Sequence, residues 1–146
     1  MYKLSLILAA AVAPLCFAQN SGQSHAGSSA YQALVNDAKS RIKEVDVDQL
    51  KAMQSSGEKF TLVDVREDNE WTAGHAKGAV HISRGVLERE IESQVPRKDT
   101  KLVLYCHSGS RSALAADALM KMGFSNVFSL AGGITAYKSA GLPTEK

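Results

Sequence analysis

A cysteine, a glycine and an arginine lie close together near residue 106 in a short polar segment. Cys106 begins the segment, Gly109 lies inside it, and Arg111 ends it after four intervening residues. A thiolate is the nucleophilic form of cysteine, and a nearby cation favours that form. Glycine lets the backbone curl and come close to a bound group. The segment therefore predicts a reactive thiol beside a pocket for an anion.

The flanking sequence predicts elements that would hold this segment in place. Residues 102–105 form the clearest strand pattern in the chain, and 112–122 have the apolar spacing of a helix. A loop that turns from a strand end into a helix exposes backbone N–H groups without helical partners. These groups and the helix dipole together attract anions. Cys106 would sit at the strand end, next to that positive potential.

Strand patterns alternate with helical patterns along the rest of the chain. Strands are predicted over 60–65, 79–82 and 127–128, and helices over 31–44, 67–71, 84–93 and 134–140, with another short helix capped by Asp46 or Asp48 and ended by Gly57. This alternation predicts an α/β fold with a central parallel sheet and helices on both faces. Ligands of such sheets bind beyond the carboxyl ends of the strands.

Composition narrows the class of protein. The 146 residues fit one domain, and 45% hydrophobic with 22% charged residues is ordinary for a globular protein. The formal net charge is +2, and the lysines and arginines are scattered. This balance does not favour nucleic acid or a membrane surface as a partner.

The N-terminus predicts a secretory signal peptide over 1–18. Lys3 precedes an apolar run over 4–12. Small residues at Cys16 and Ala18 occupy the third and first positions before a cleavage site that follows Ala18. The run is too short to cross a bilayer as a helix, which needs about 20 residues, so an uncleaved membrane anchor is disfavoured. Cys16 admits a lipoprotein signal, which the bulky residue before it disfavours.

Cleavage would export the chain, and we expect a bacterial periplasm without stable membrane insertion. A lead-in rich in Ser and Gly and a first helix would occupy 19–43, and the folded domain 44–146. Cys106 would then be the single cysteine of the mature chain, which excludes a disulfide within it. Its thiol must be buried and inert, paired with another molecule, or reactive.

Five segments in order resemble the rhodanese family of sulfurtransferases. They are 62–67, 74–82, 102–113, 122–134 and 141–143. The resemblance implies a rhodanese-like α/β fold. Two positions depart from the family pattern, since Lys77 replaces the usual proline and Tyr137 the usual tryptophan. Both lie outside the loop after the central strand, so they concern packing more than chemistry.

The resemblance also implies roles for individual residues. Cys106 would be the nucleophile that becomes a persulfide. The residues that would bind the substrate are His107, Ser108, Gly109, Ser110, Arg111 and Ser112, mainly through their backbone amides, with Arg111 orienting an anionic donor. Asp64 and Arg66 would either brace the pocket or form a purely structural ion pair. His75 would be a partly buried structural histidine bonded to backbone, and a catalytic role for His107 stays open.

The mechanism implied by the resemblance is a double displacement without a metal or organic cofactor. The Cys106 thiolate would attack thiosulfate or a similar small anionic donor. The persulfide would then pass sulfur to cyanide or to a thiol or dithiol acceptor.

Three alternatives remain. A cysteine-dependent phosphatase or arsenate reductase is disfavoured because those relatives carry one more residue between Cys and Arg, and because no carboxylic acid is evident beside the loop. The second is a non-catalytic rhodanese module for interaction or redox sensing. The third is a persulfide relay to one dedicated protein.

Overall fold

Parallel pairing of five short strands builds the central sheet of this α/β fold. The computed structural model describes residues 28–146, and the segment 1–27, which contains the predicted signal peptide, lies outside the described residues. The strands are β1 (Lys43–Val45), β2 (Thr61–Asp64), β3 (His75–Ala76), β4 (Val80–His81), β5 (Leu102–Tyr105), β6 (Val127–Leu130) and β7 (Thr144–Glu145). The sheet has the order β1-β6-β5-β2-β4, and β3 pairs with β7 in a separate antiparallel ladder.

Six helices of residues 28–146 surround the sheet. They are α1 (Ser29–Lys39), α2 (Val47–Ser55), α3 (Asp68–Thr72), α4 (Leu87–Gln94), α5 (Ser110–Lys121) and α6 (Gly133–Ser139). Asp46 caps α2 in a reciprocal box with Gln49, as one of the two sequence alternatives predicted. Within the described residues, no helix combines the length and the apolar character needed to cross a membrane. The predicted α/β class, a parallel sheet flanked by helices, is confirmed.

Strand β5 divides the interior into two apolar cores. Its residues are all buried and alternate between the two faces, as the period of a strand requires. Leu102 and Leu104 pack with α4 and α5 on one face. Val103 and Tyr105 pack with α2 and α6 on the other. Because both of its faces are covered and strands β6 and β2 flank it, β5 gives firm support to the loop that follows.

Two features differ from the sequence predictions. The first helix ends at Lys39 rather than near residue 44, and residues 43–45 form the edge strand β1 against β6. Only Val45 of this strand is buried, so the sequence carries no alternating pattern to reveal it. The β3–β7 ladder was also missed, because each of its strands has two residues.

The two departures from the family pattern are accommodated by packing near Pro143. Tyr137 is buried, and its hydroxyl donates to the Pro143 carbonyl at 3.0 Å. The backbone N–H of Lys77 also donates to that carbonyl at 3.0 Å, which a proline could not do.

Helix α1 is fastened to α5. Val35 and Ala38 of α1 are buried. Just beyond the end of α1, Arg41 makes a forked contact with Asp117 of α5, at 3.0 Å from Nε to Oδ1 and 3.1 Å from Nη2 to Oδ2. Lys121 also reaches Asp117 at 2.7 Å. Hydrogen bonds from Arg41 and then Lys121 lower the pKa of Asp117 to about 2.

We predict that Asp117→Asn lowers the free energy of unfolding by about 1 kcal/mol at pH 7. The folded-state pKa of this carboxyl is depressed, so its contribution is present above the unfolded-state pKa and is lost as the pH falls towards 2. The difference between wild type and variant should therefore shrink between pH 4 and pH 2. Urea unfolding at several pH values measures it.

The matched control is Asp99→Asn, which removes an exposed partner of Arg97. It should change stability little at any pH. Equal effects of the two substitutions would contradict a specific role for Asp117 in fastening α1.

Candidate functional site

The Cys106 sulfur lies at the end of β5 inside the loop that leads to α5. The residue is 1% exposed. Its Sγ accepts a hydrogen bond from the backbone N–H of Gly109 at 3.2 Å. Gly109 has a φ of 103°, a left-handed conformation that glycine adopts most readily, and it immediately precedes the first residue of α5. The sulfur thus sits beside the N-terminus of a helix, as the sequence predicted.

The start of α6 holds the carbonyls of this loop. The N–H of Ile134 donates to the Cys106 carbonyl at 2.8 Å. The N–H and the hydroxyl of Thr135 donate to the His107 carbonyl at 3.3 and 3.0 Å. The C=O and N–H of a planar trans peptide point in opposite directions. Because α6 fixes these carbonyls, the N–H groups of His107 and Ser108 face away from it.

Only glycine fits where α6 meets the loop. A Cβ on Gly133 would lie 2.5 Å from the Cys106 carbonyl oxygen and 2.7 Å from that of His107. Gly133 also has a φ of 54°, which disfavours side chains. The sequence pattern marked this glycine only as the start of a helix, since the contact partner lies in another part of the chain.

A buried pair of hydroxyls lies beneath the sulfur. Ser112 Oγ is 3.7 Å from Cys106 Sγ and 2.8 Å from Ser129 Oγ, and both serines are fully buried. If Ser129 donates to Ser112, two acceptors compete for the single Ser112 proton, the Gly109 carbonyl at 3.1 Å and the Cys106 sulfur at 3.7 Å. Sequence reasoning missed Ser129. A polar residue within the apolar strand β6 was the available signal.

Arg111 is held by a carboxylate that the sequence did not reveal. Its two Nη atoms lie 2.6 and 2.8 Å from the carboxylate oxygens of Glu70, and Glu67 lies 3.7 Å away. The expectation that no acid stands beside the loop is therefore wrong. The parallel pairing of β2 with β5 brings α3, which follows β2, next to the loop after β5.

The electrostatic state of Glu70 limits what it can do. The hydrogen bonds from Arg111 lower the pKa of Glu70 below its usual value, against a smaller opposing effect of burial. Glu70 is therefore an anion at neutral pH and a poor proton donor. Glu70 in turn raises the pKa of Arg111 above its usual value. The ion pair with Glu70 therefore offsets the positive charge of Arg111 within the cleft.

The supporting motif forms a buried ion pair. Arg66 Nη2 lies 2.6 Å from Asp64 Oδ2 and 2.9 Å from the Gly74 carbonyl, and the backbone N–H of Arg66 donates to Asp64 at 2.9 Å. Both side chains are at most 5% exposed. The pair ties the end of β2 to the turn before β3. Neither residue lines the cleft that contains Cys106.

Two of the histidines in the resembling segments, His75 and His107, occupy different environments. His75 is buried, stacks on Trp71 with ring centroids 3.3 Å apart, and has Nδ1 3.2 Å from the Trp71 carbonyl. This geometry matches the expected backbone-bonded histidine. His107 is exposed and lines the cleft. Its carbonyl, rather than its ring, makes the contacts that hold the loop.

A cleft of about 480 Å³ opens over Cys106. Its lining residues are Tyr31, Gln32, Glu70, Cys106, His107, Ser108, Ser110 and Arg111. Tyr31 and Gln32 come from the first turn of α1, and no feature of the sequence indicated that this helix would line the cleft. Among residues 28–146, no group of three or more His, Cys, Asp or Glu side chains is arranged to hold a metal ion.

Comparison with known proteins identifies the family of this chain. Residues 46–140 match the family model described as Rhodanese-like domain. A sulfurtransferase from Allochromatium vinosum is 34% identical over 102 residues, which cover 70% of this chain and 94% of the relative. The chain spans 50% of the length of a matching Bacillus subtilis protein and 23% of that of a matching Mycobacterium tuberculosis protein.

Solved structures share the fold. The polysulfide-sulfur transferase homodimer of Wolinella succinogenes matches with a TM-score of 0.68 and 27% identity, covering 80% of this chain and 87% of that one. A Rhodopseudomonas palustris protein of unknown function, described as a possible tyrosine phosphatase, matches with a TM-score of 0.73 and 33% identity, covering 79% and 93%.

We predict that Gly133→Ala destabilises the protein by about 2–4 kcal/mol, because the added Cβ would overlap two loop carbonyls at a positive φ. It should also displace the loop and change the rate of alkylation of Cys106, in either direction, by at least about threefold. A change of about 0.7 kcal/mol in the activation free energy corresponds to that factor. Thermal unfolding and timed alkylation measure these effects.

Gly85→Ala is the matched control, because no atom lies within 4 Å of its added Cβ and its φ is not positive. If Gly133→Ala were as stable and as reactive as this control, the close approach of α6 would not be holding the loop.

Proposed function

Because the chain belongs to the rhodanese-like domain family, we propose that it is a sulfurtransferase that carries sulfur as a persulfide on Cys106. The observation that carries the proposal is the Cys106 sulfur itself, held within the loop at the start of α5 and in contact with an N–H donor. The relative from Allochromatium vinosum is named a sulfurtransferase, and the match covers 94% of its length. It supports the same activity.

Thiosulfate or a similar small anion is the proposed donor. The Cys106 thiolate attacks the outer sulfur of thiosulfate, a new S–S bond forms, and the S–S bond of thiosulfate breaks. Sulfite leaves with the bonding electrons, and the negative charge of the thiolate moves to the outer sulfur of the persulfide. No proton, metal or electron carrier is needed to balance this step.

The persulfide then passes its outer sulfur to cyanide or to a thiol or dithiol. The acceptor anion bonds to the outer sulfur, the S–S bond to Cys106 breaks, and the Cys106 thiolate is restored. Charge therefore stays on sulfur throughout the cycle. The Gly109 N–H and the N-terminus of α5 are preorganised to stabilise that charge.

A phosphatase is the second candidate, favoured by the similarity to the Rhodopseudomonas palustris structure. Two features of the site argue against it. Only four residues separate Cys106 from Arg111, which leaves a smaller ring than the phosphatase relatives have. Glu70, the carboxyl group of the cleft, is kept ionised by Arg111 and is poorly suited to protonate a leaving alcohol.

Export to a bacterial periplasm is also proposed, on the signal pattern of residues 1–18. An exported domain with a single remaining cysteine would meet thiosulfate and soluble thiols directly. The mass of the protein recovered from a periplasmic fraction tests it, since loss of residues 1–18 is expected and an intact N-terminus in the cytoplasm would contradict it.

We predict that Cys106→Ser abolishes sulfur transfer from thiosulfate to cyanide, by at least about a thousandfold, because a hydroxyl cannot form the persulfide. The assay measures thiocyanate formation. Unchanged thermal unfolding and circular dichroism serve as the control for folding. Transfer that persisted in the folded variant would exclude Cys106 as the carrier.

We predict that Glu70→Gln lowers the KM for thiosulfate about threefold to tenfold, because it frees the guanidinium of Arg111 for the donor. Arg111→Ala should raise the same KM by about tenfold or more. Steady-state kinetics at low ionic strength measures both.

The matched control is Glu88→Gln, which breaks an exposed pair with Arg84 outside the cleft. It should leave the KM unchanged. A KM for thiosulfate that did not respond to Glu70 or to Arg111 would remove this ion pair from the donor site.

A further inference from the structure

The cleft over Cys106 has a wall made by a helix that lies outside the matched rhodanese-like region. The family match begins at residue 46, yet Tyr31 and Gln32 of α1 line the same cleft as Cys106 and Arg111. We propose that Tyr31 and Gln32 are specificity residues that bind an organic thiol acceptor while its sulfur reaches Cys106. This inference rests on the proposed sulfur transfer and names the acceptor class.

Contacts with α5, the helix that begins at the reactive loop, fix the position of this wall. Helix α1 packs on α5, its residues Val35 and Ala38 are buried, and Arg41 ties the chain just after α1 to Asp117. At its other end, the Ser28 side chain caps the helix by accepting a hydrogen bond from the backbone N–H of Tyr31 at 3.3 Å. The first turn of α1 therefore keeps a set distance from the loop.

The size of the cleft suits an organic molecule better than a two-atom anion. Its volume of about 480 Å³ falls in the range of roughly 300–1,000 Å³ that is typical of pockets for organic ligands. Cyanide would need only the space next to the sulfur. The space between the loop and α1 would remain unused with such an acceptor.

The lining chemistry favours a thiol of amino-acid or peptide type. Tyr31 offers an aromatic face and a hydroxyl, and Gln32 offers an amide that both donates and accepts. Arg111 and Glu70 place a cation and an anion in the same cleft. A molecule with a carboxylate, an ammonium group and an amide can pair with all of these groups, whereas an uncharged alkyl thiol cannot.

The first test measures discharge of the preformed persulfide by acceptors of different size. Cyanide, 2-mercaptoethanol and the tripeptide thiol glutathione are the probes, and the readout is the second-order rate of loss of the extra sulfur. We expect Tyr31→Ala to slow glutathione about tenfold and Gln32→Ala about threefold, with cyanide changed less than about twofold.

Two variants of α1 serve as controls. Asn36→Ala alters an exposed residue of the same helix that does not line the cleft, and it should leave all three rates unchanged. Tyr31→Phe keeps the ring and should retain most of the glutathione rate. Equal slowing of cyanide and glutathione in Tyr31→Ala would overturn the proposal, since it would mean that α1 only supports the loop.

The second test does not depend on sulfur transfer. S-methylglutathione can neither donate nor accept sulfur, and its binding is measured by protection of Cys106 from iodoacetamide. We expect protection in wild type and a concentration for half protection raised about tenfold in Tyr31→Ala. Absence of protection in wild type, or equal protection in Tyr31→Ala, would overturn the α1 proposal. This outcome does not depend on whether the persulfide forms. Failure of persulfide formation with intact protection would instead count against sulfur transfer.

Discussion

The contact between the Cys106 loop and the start of α6 determines the geometry of the loop amides and of the sulfur that they surround. The loop carbonyls of Cys106 and His107 bond to the N–H groups of α6, and this contact requires the absence of a side chain at Gly133. Once those carbonyls are fixed, the orientation of the neighbouring amides follows from the planar peptide. The sulfur then has an N–H donor from Gly109 without any movement of the backbone. Such preorganisation is what stabilises charge on a reacting atom.

Charge in the cleft is balanced rather than simply positive. The sequence suggested a fixed positive charge at Arg111, but Glu70 compensates it and remains ionised in doing so. An anionic donor must therefore compete with an internal carboxylate. Small anions consequently gain less from Arg111 than the sequence implied, and a ligand that can pair with both signs gains more. The same balance weakens the case for acid catalysis at this site.

The parts that the sequence predicted well are those encoded in contiguous residues. Strand β5 has the predicted bounds because four apolar residues in a row precede Cys106, and the loop is recognisable from its own residue types. The missed parts depend on strand order. Ser129 lies near the sulfur because β6 pairs with β5, and Glu70 because β2 pairs with β5 on the other side. Tyr31 is brought to the site by helix packing across the whole domain, which no local pattern encodes.

The most direct test of the account is the intact mass of the protein after treatment with thiosulfate, before and after addition of cyanide. We predict a gain of one sulfur atom, located on the peptide that contains Cys106, and its complete loss after cyanide. An unchanged mass after thiosulfate, and also after a parallel treatment with polysulfide, would contradict the account, because a thiol held in this loop would then carry no sulfur.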